Sequence, residues 1–156
     1  MKVSIGKYNK NGADRKIKVK IDDYDVWSLD NTLAHIIHPA LIRLRDVKHG
    51  SPTVLDEDVP EHLRADNEND VKVHDRWTWV LNEMIWAFGQ ELIDWEDQFH
   101  AGEHDLQFEE LPDGNYEMKR GPKDTHVFDA EGYRAHNARI QNGFRLFGTY
   151  YSGLWD

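Results

Sequence analysis

Apolar and polar residues alternate along two short stretches near the start of the chain, 2–5 and 17–21. Alternate residues of a strand share a face, so Ile17, Val19 and Ile21 line one side of the second stretch and lysines take the other. Asn9, Lys10, Asn11 and Gly12 supply turn chemistry between the two, and the pair predicts a hairpin over 1–22. The pattern then changes period. Leu29, Leu33, Ile36, Ala40, Leu44 and Val47 recur at helical spacing, behind Ser28 as an N-cap and Asp30 at the positive end of the helix dipole. Pro39 interrupts this pattern and predicts a kink or break, because it cannot donate to the carbonyl of His35. Lys48, His49 and Gly50 form a helix terminus, with Pro52 just beyond.

Residues 51–72 show no periodicity and predict a loop, with a short helical turn at 61–64. From 73 to 98 the apolar pattern is doubled. Trp77, Leu81, Met84, Phe88, Leu92 and Trp95 make one stripe; Trp79, Trp86 and Ile93 make a second, roughly opposite at about 100° per residue. A helix apolar on two sides is either central in its fold or part of an oligomer interface. Strands at 106–111 and 116–119 flank a turn at 112–115, and a short strand follows at 125–128. Asp129 caps a last helix whose core face is Tyr133, Ile140, Phe144, Phe147 and Tyr151. Gly143 and Gly148 within it point to close helix approach or to fraying. The elements together predict one α+β domain over 1–156, mainly helical. Three long helices (28–50, 73–98 and 129–152) form its core, and two β-hairpins (1–22 and 105–120) lie at its periphery.

Composition narrows the chemistry. With no cysteine among 156 residues, disulfides, thiolate metal sites and cysteine nucleophiles are all excluded, which suits a reducing cytoplasm. No apolar run approaches the roughly 20 residues of a membrane span, and the opening MKVSIG is strand-like rather than a signal peptide. The expectation is a cytoplasmic protein without a membrane partner. A formal net charge of −10 opposes binding to duplex nucleic acid, whose affinity comes largely from Lys and Arg, but leaves room for a small anion in a locally basic pocket.

His35 and His38 share a helix face and Glu83 could add a carboxylate, so these three are the weak metal candidates. Neither Glu-x-x-His nor His-Glu-x-x-His occurs, and a solvated or interface histidine pair is the better reading. Asp56, Glu57, Asp58 and Glu61 lack the order of a calcium loop and read as a solvated acidic loop, as does the 66–70 run. Phosphate-binding glycine loops and the nucleophile-elbow motif are absent, no cofactor is expected, and nothing nominates an enzyme. The remaining signal is cationic and aromatic. Arg45, Lys48 and His49 (with Arg43) cluster at the end of the first long helix, and Arg139 and Arg145 (with Arg134) punctuate the last. Trp79 and Trp86 lie on the second stripe of the middle helix. Arginines with aromatic rings are what a nucleotide-like anion needs, in bidentate phosphate contacts and a stacking face for the base. Against this, arginines in an acidic protein usually pair with carboxylates, and tryptophans usually pack.

The strings WSLDNTLAHIIHPALIRLRDVKHGSP, DEDVPEHLR, WTWVLNEMIWAF and the closing RIQNGFRLFGTYYSGLWD resemble a group of uncharacterised proteins encoded by tailed bacteriophages. The resemblance covers most of the chain from about residue 21 onward. It implies a product made in the bacterial cytoplasm and assigns no catalytic residue. Three readings of function follow. The first is a non-enzymatic, phage-encoded binding protein, homo-oligomeric, that sequesters a small anionic nucleotide-like host molecule through Arg45, Lys48, His49, Trp79, Trp86, Arg139 and Arg145. The second is an acidic protein–protein interaction or structural phage factor, for example one docking on a host protein. The third is a metal-dependent enzyme using the histidine pair.

Overall fold

A computed structural model describes residues 1–5, 16–64 and 72–155, with the side chain of residue 5 excepted. The turn expected at 9–12 and the acidic run at 66–70 lie outside the described residues. Strands β1 (Lys2–Ile5) and β2 (Ile17–Lys20) pair antiparallel, with Val3 opposite Val19. Helices α1 (Asp23–Trp27), α2 (Leu29–Val47) and α3 (Val73–Gln90) follow, and a 3-10 turn at Trp95–Phe99 leads into β3 (His100–Ala101). Strands β4 (Leu106–Glu110) and β5 (Tyr116–Arg120) form the second hairpin; β6 (Val127–Phe128) pairs with β3, and α4 (Ala130–Thr149) closes the core. The class is the expected one: mainly helical α+β, with small antiparallel strand pairs around three long helices.

The first apolar stripe of α3 is largely buried and the second only in part, with Trp79 and Trp86 half-buried and Ile93 exposed beyond the helix end. The main packing partners of α3 are α2 on one side and α4 on the other. Trp77, Val80, Leu81, Met84 and Ala87 are fully buried there, each large aliphatic or aromatic side chain contributing about 1.5–3 kcal/mol of burial. Trp79 packs half-buried against the same core. Helix α4 approaches α3 most closely at Gly143, where a Cβ would lie 2.3 Å from the Ala87 Cβ. Gly148 faces open space and makes no close approach.

Several boundaries differ from the sequence expectation. A separate short α1 precedes Ser28, and Ser28 makes no side-chain cap bond; its carbonyl instead accepts from Thr32 N–H at 3.0 Å. Helix α2 runs unbroken through Pro39. Both Pro39 and His35 are exposed, so water can satisfy the carbonyl that the proline leaves without a donor. Helix α3 stops at Gln90 rather than 98, which places Trp95 in the following 3-10 turn. On the last helix the register shifts by one residue, since Tyr150 is buried and Tyr151 exposed.

The aperiodic 51–64 segment is pinned to the core. Val54 and Val59 are buried in the hydrophobic cluster. The Tyr150 hydroxyl donates to Asp58 Oδ2 at 2.6 Å and accepts from Leu55 N–H at 3.0 Å. Arg145 donates to Asp58 Oδ1, and buried Arg76 donates to the Val54 carbonyl and pairs with Asp56 at 3.4 Å. The acidic loop expected to be solvated therefore sends one carboxylate, Asp58, into the interior, where hydrogen bonds meet its desolvation.

Candidate interaction surface

The seven residues expected to hold an anion are distributed over separate places. Arg139 forms a bidentate pair with Glu83 (2.9 and 2.7 Å) and lies 3.9 Å above the Trp86 ring. Trp86 in turn packs on His136 at 4.9 Å. Arg145 is engaged with Asp58 and Asn142, close to the 51–64 segment. Arg45 bridges α2 to α3 through Asn82 at 3.0 Å and pairs with Asp46. Trp79 is part of the packed core. Lys48 closes α2, its N–H donating to the Leu44 carbonyl at 2.9 Å, and His49 follows it on the exposed side of that terminus. These are the partners expected of arginines in an acidic chain, and together the seven residues line no common cavity among those described.

The metal candidates are likewise apart. Glu83 belongs to Arg139, His38 packs against Gly89 of α3, and exposed His35 lies beside Met1, Val3 and Asp25. Among the described residues no three His, Asp or Glu side chains are arranged to hold a metal ion.

Sequence reading missed a different histidine group. His100 Nδ1 and His126 Nε2 are 2.9 Å apart, and the His104 ring stacks on His126 with centroids at 3.8 Å. The rings stack rather than converge on a point. Burial holds His126 below the usual imidazole range, helped by His104, His100 and Arg120 and opposed by Asp124. An unfolded His126 takes up its proton near pH 6.5, whereas the folded one resists it, so stability present at neutral pH is lost as the pH falls below that value. Protection of the β3 and β6 amides, taken relative to the intrinsic exchange rate at each pH, is expected to fall between pH 7 and 5, and a His126→Gln variant should flatten that dependence.

At the opposite end of polarity, one face is apolar and bare. Tyr24 and Trp27 of α1 are 93% and 91% exposed, the most open aromatic rings among the described residues. The β1–β2 hairpin also exposes Val3, Ile17 and Val19 on one face, and α2 exposes Leu29, Leu33 and Ile36. That stripe was expected to face the core. Helix α2 instead turns Ala34 and Leu41 inward, leaving the stripe beside the hairpin, where Met1 and Val3 meet Thr32, His35 and Ile36 at one shallow cavity. The Met1 amino group pairs with Asp25, tying β1 to α1 and holding the Asp25 carboxyl below the usual carboxylate range. Single exposed apolar residues are ordinary on a protein surface; here they recur on β1, β2, α1 and α2, led by two almost fully exposed rings. No helix among the described residues is long and apolar enough to cross a membrane. Comparison with protein-family models, with curated proteins and with solved structures gives no match to this chain.

Proposed function

We propose that this chain is a non-enzymatic binding protein that docks on other protein through its N-terminal face, formed by the β1–β2 hairpin, α1 and the first half of α2. The observation that carries this reading is the near-complete exposure of Tyr24 and Trp27, with further exposed apolar residues on β1, β2 and α2, since aromatic anchors of this kind supply most of the energy of protein interfaces. In the phage setting that the resembling strings imply, such a protein is an assembly component or a factor that docks on a host protein. The alternative, sequestration of a small nucleotide-like anion, has less to draw on, because Arg139 and Arg145 already hold carboxylates and Trp86 already carries a guanidinium. The test is covalent capture, with a photo-reactive residue in place of Trp27. Irradiation is expected to join the chain to a second polypeptide, and failure to join any overturns the reading.

A further inference from the structure

The occupant of the N-terminal face can be argued from charge and from a second uncovered surface. Residues 1–20 hold seven Lys or Arg and one Asp, a net +6, so the rest of the chain carries −16 of the total −10. The hairpin at the centre of the bare face is thus a basic element on a strongly acidic body. The β4–β5 hairpin is its complement. Its register sets Phe108 opposite Met118 and Leu106 opposite Arg120, which puts Leu106, Phe108, Tyr116 and Met118 on one face. All four are exposed, Phe108 at 66%. Around them, residues 103–120 hold six acidic residues against Lys119 and Arg120, a net −4.

An isolated two-stranded hairpin is marginal in water and needs its apolar face covered. Each of these two hairpins has such a face, and they carry opposite charge. Pairing like with like would set basic against basic or acidic against acidic within about 10 Å, the spacing of packed sheets and no more than a Debye length at 0.1 M salt. Pairing unlike hairpins from different copies covers both apolar faces and brings opposite charges together.

We propose that the N-terminal face of one copy receives the acidic β4–β5 hairpin of a second copy. This rests on the reading of that face as a protein-docking surface and names its occupant. Exchange in both directions closes a dimer; exchange in one direction propagates a ring or a filament.

The test is sedimentation of the full chain, alone and as two charge-reversed variants checked for folding by circular dichroism. Lys2→Glu, Lys10→Glu, Lys16→Glu and Lys18→Glu together bring residues 1–20 from +6 to −2 and leave the Lys20–Asp22 pair in place. Glu103→Lys, Glu110→Lys and Glu117→Lys together bring residues 103–120 from −4 to +2 and leave Lys119 paired with Glu109. The native chain is expected to sediment at two or more times its 18.3 kDa mass. Each variant alone should self-associate at least about tenfold more weakly, and an equimolar mixture should regain native affinity, because each variant then offers the charge the other lacks. A monomeric native chain, variants that associate as tightly as the native chain, or a mixture that stays dissociated each overturn the proposal. Should the native chain prove monomeric while position 27 still captures a different polypeptide, the docking reading stands and only the choice of occupant falls.

Discussion

Replacing Gly143 by alanine is expected to destabilise the chain by about 1–3 kcal/mol, although alanine is the better helix former by roughly 1 kcal/mol. The reason lies in the contact between α4 and α3. A methyl group at 143 would stand 2.3 Å from the Ala87 Cβ and 2.8 Å from the Glu83 carbonyl oxygen. Both are rigid parts of α3, so relief requires moving one helix away from the other. That movement also pulls on the Arg139–Glu83 pair one turn earlier and on Phe144, which packs against Phe88 at 5.1 Å. Gly148→Ala is the control with the opposite sign. Its surroundings are open, and it should gain up to about 1 kcal/mol from propensity alone. Thermal midpoints read both, at about 2–4 °C per kcal/mol for a chain of this size.

The second large effect is expected at Asp58. Its carboxylate accepts the Tyr150 hydroxyl proton and an Arg145 N–H while remaining almost fully buried. Asp58→Ala leaves the buried phenol without its acceptor and removes two of the bonds that tie the 51–64 segment to α4, the Leu55–Tyr150 bond remaining, a loss of about 2–3 kcal/mol. Arg145 softens the loss, since it is half-exposed and retains Asn142 at 2.9 Å. Tyr150→Phe should cost less, about 1–2 kcal/mol, because the carboxylate keeps its arginine. The two substitutions remove one shared bond, so the double variant should lose less than the sum. Burial first, and Asp58 second, push the Tyr150 phenol above its ordinary value near 10. The unfolded tyrosine ionises near pH 10 while the folded one stays protonated, so this contribution is complete below pH 10 and is lost as the pH rises beyond it. Denaturant titrations at pH 8 and 11 measure the loss, which should be smaller in Tyr150→Phe.

How much of this was legible in the sequence follows from which features are local. The first stripe of α3 is a local pattern and is largely buried, as expected; of the second, Trp79 and Trp86 are half-buried, while Ile93 lies beyond the helix and is exposed. The capping of α4 was equally plain, with Asp129 Oδ1 accepting from Gly132 N–H at 2.9 Å. The hairpin turn at 112–115 was too, where Gly114 adopts φ +81° and Asp113 accepts from Asn115 N–H. Features decided by packing were not legible. Apolar spacing continues past Gln90, yet the chain leaves the helix there, and Trp95 stacks on His136 at 4.7 Å from the following 3-10 turn. Val54 and Val59 lie in a segment without periodicity and are buried only because distant residues hold it down. Arginine partners are the clearest case. Every arginine in an acidic chain has a carboxylate somewhere, but Glu83 lies 56 residues from Arg139 and Asp58 lies 87 from Arg145. Nothing local distinguishes them from a free basic pocket. The basic hairpin and the acidic hairpin, by contrast, were both present in the charge distribution, and only their shared exposure gives that distribution meaning.

Position 27 offers the most direct measurement of docking by the N-terminal face. With a photo-reactive residue replacing Trp27, irradiation of the concentrated protein is expected to give a covalent adduct of two chains, with the joined peptide mapping to residues 106–118. The same residue at Glu131, on the exposed first turn of α4, is expected to give little adduct. Equal and low yields from both positions would mean that no second copy covers Tyr24 and Trp27, contradicting the claim that the acidic hairpin of another chain seats on this face.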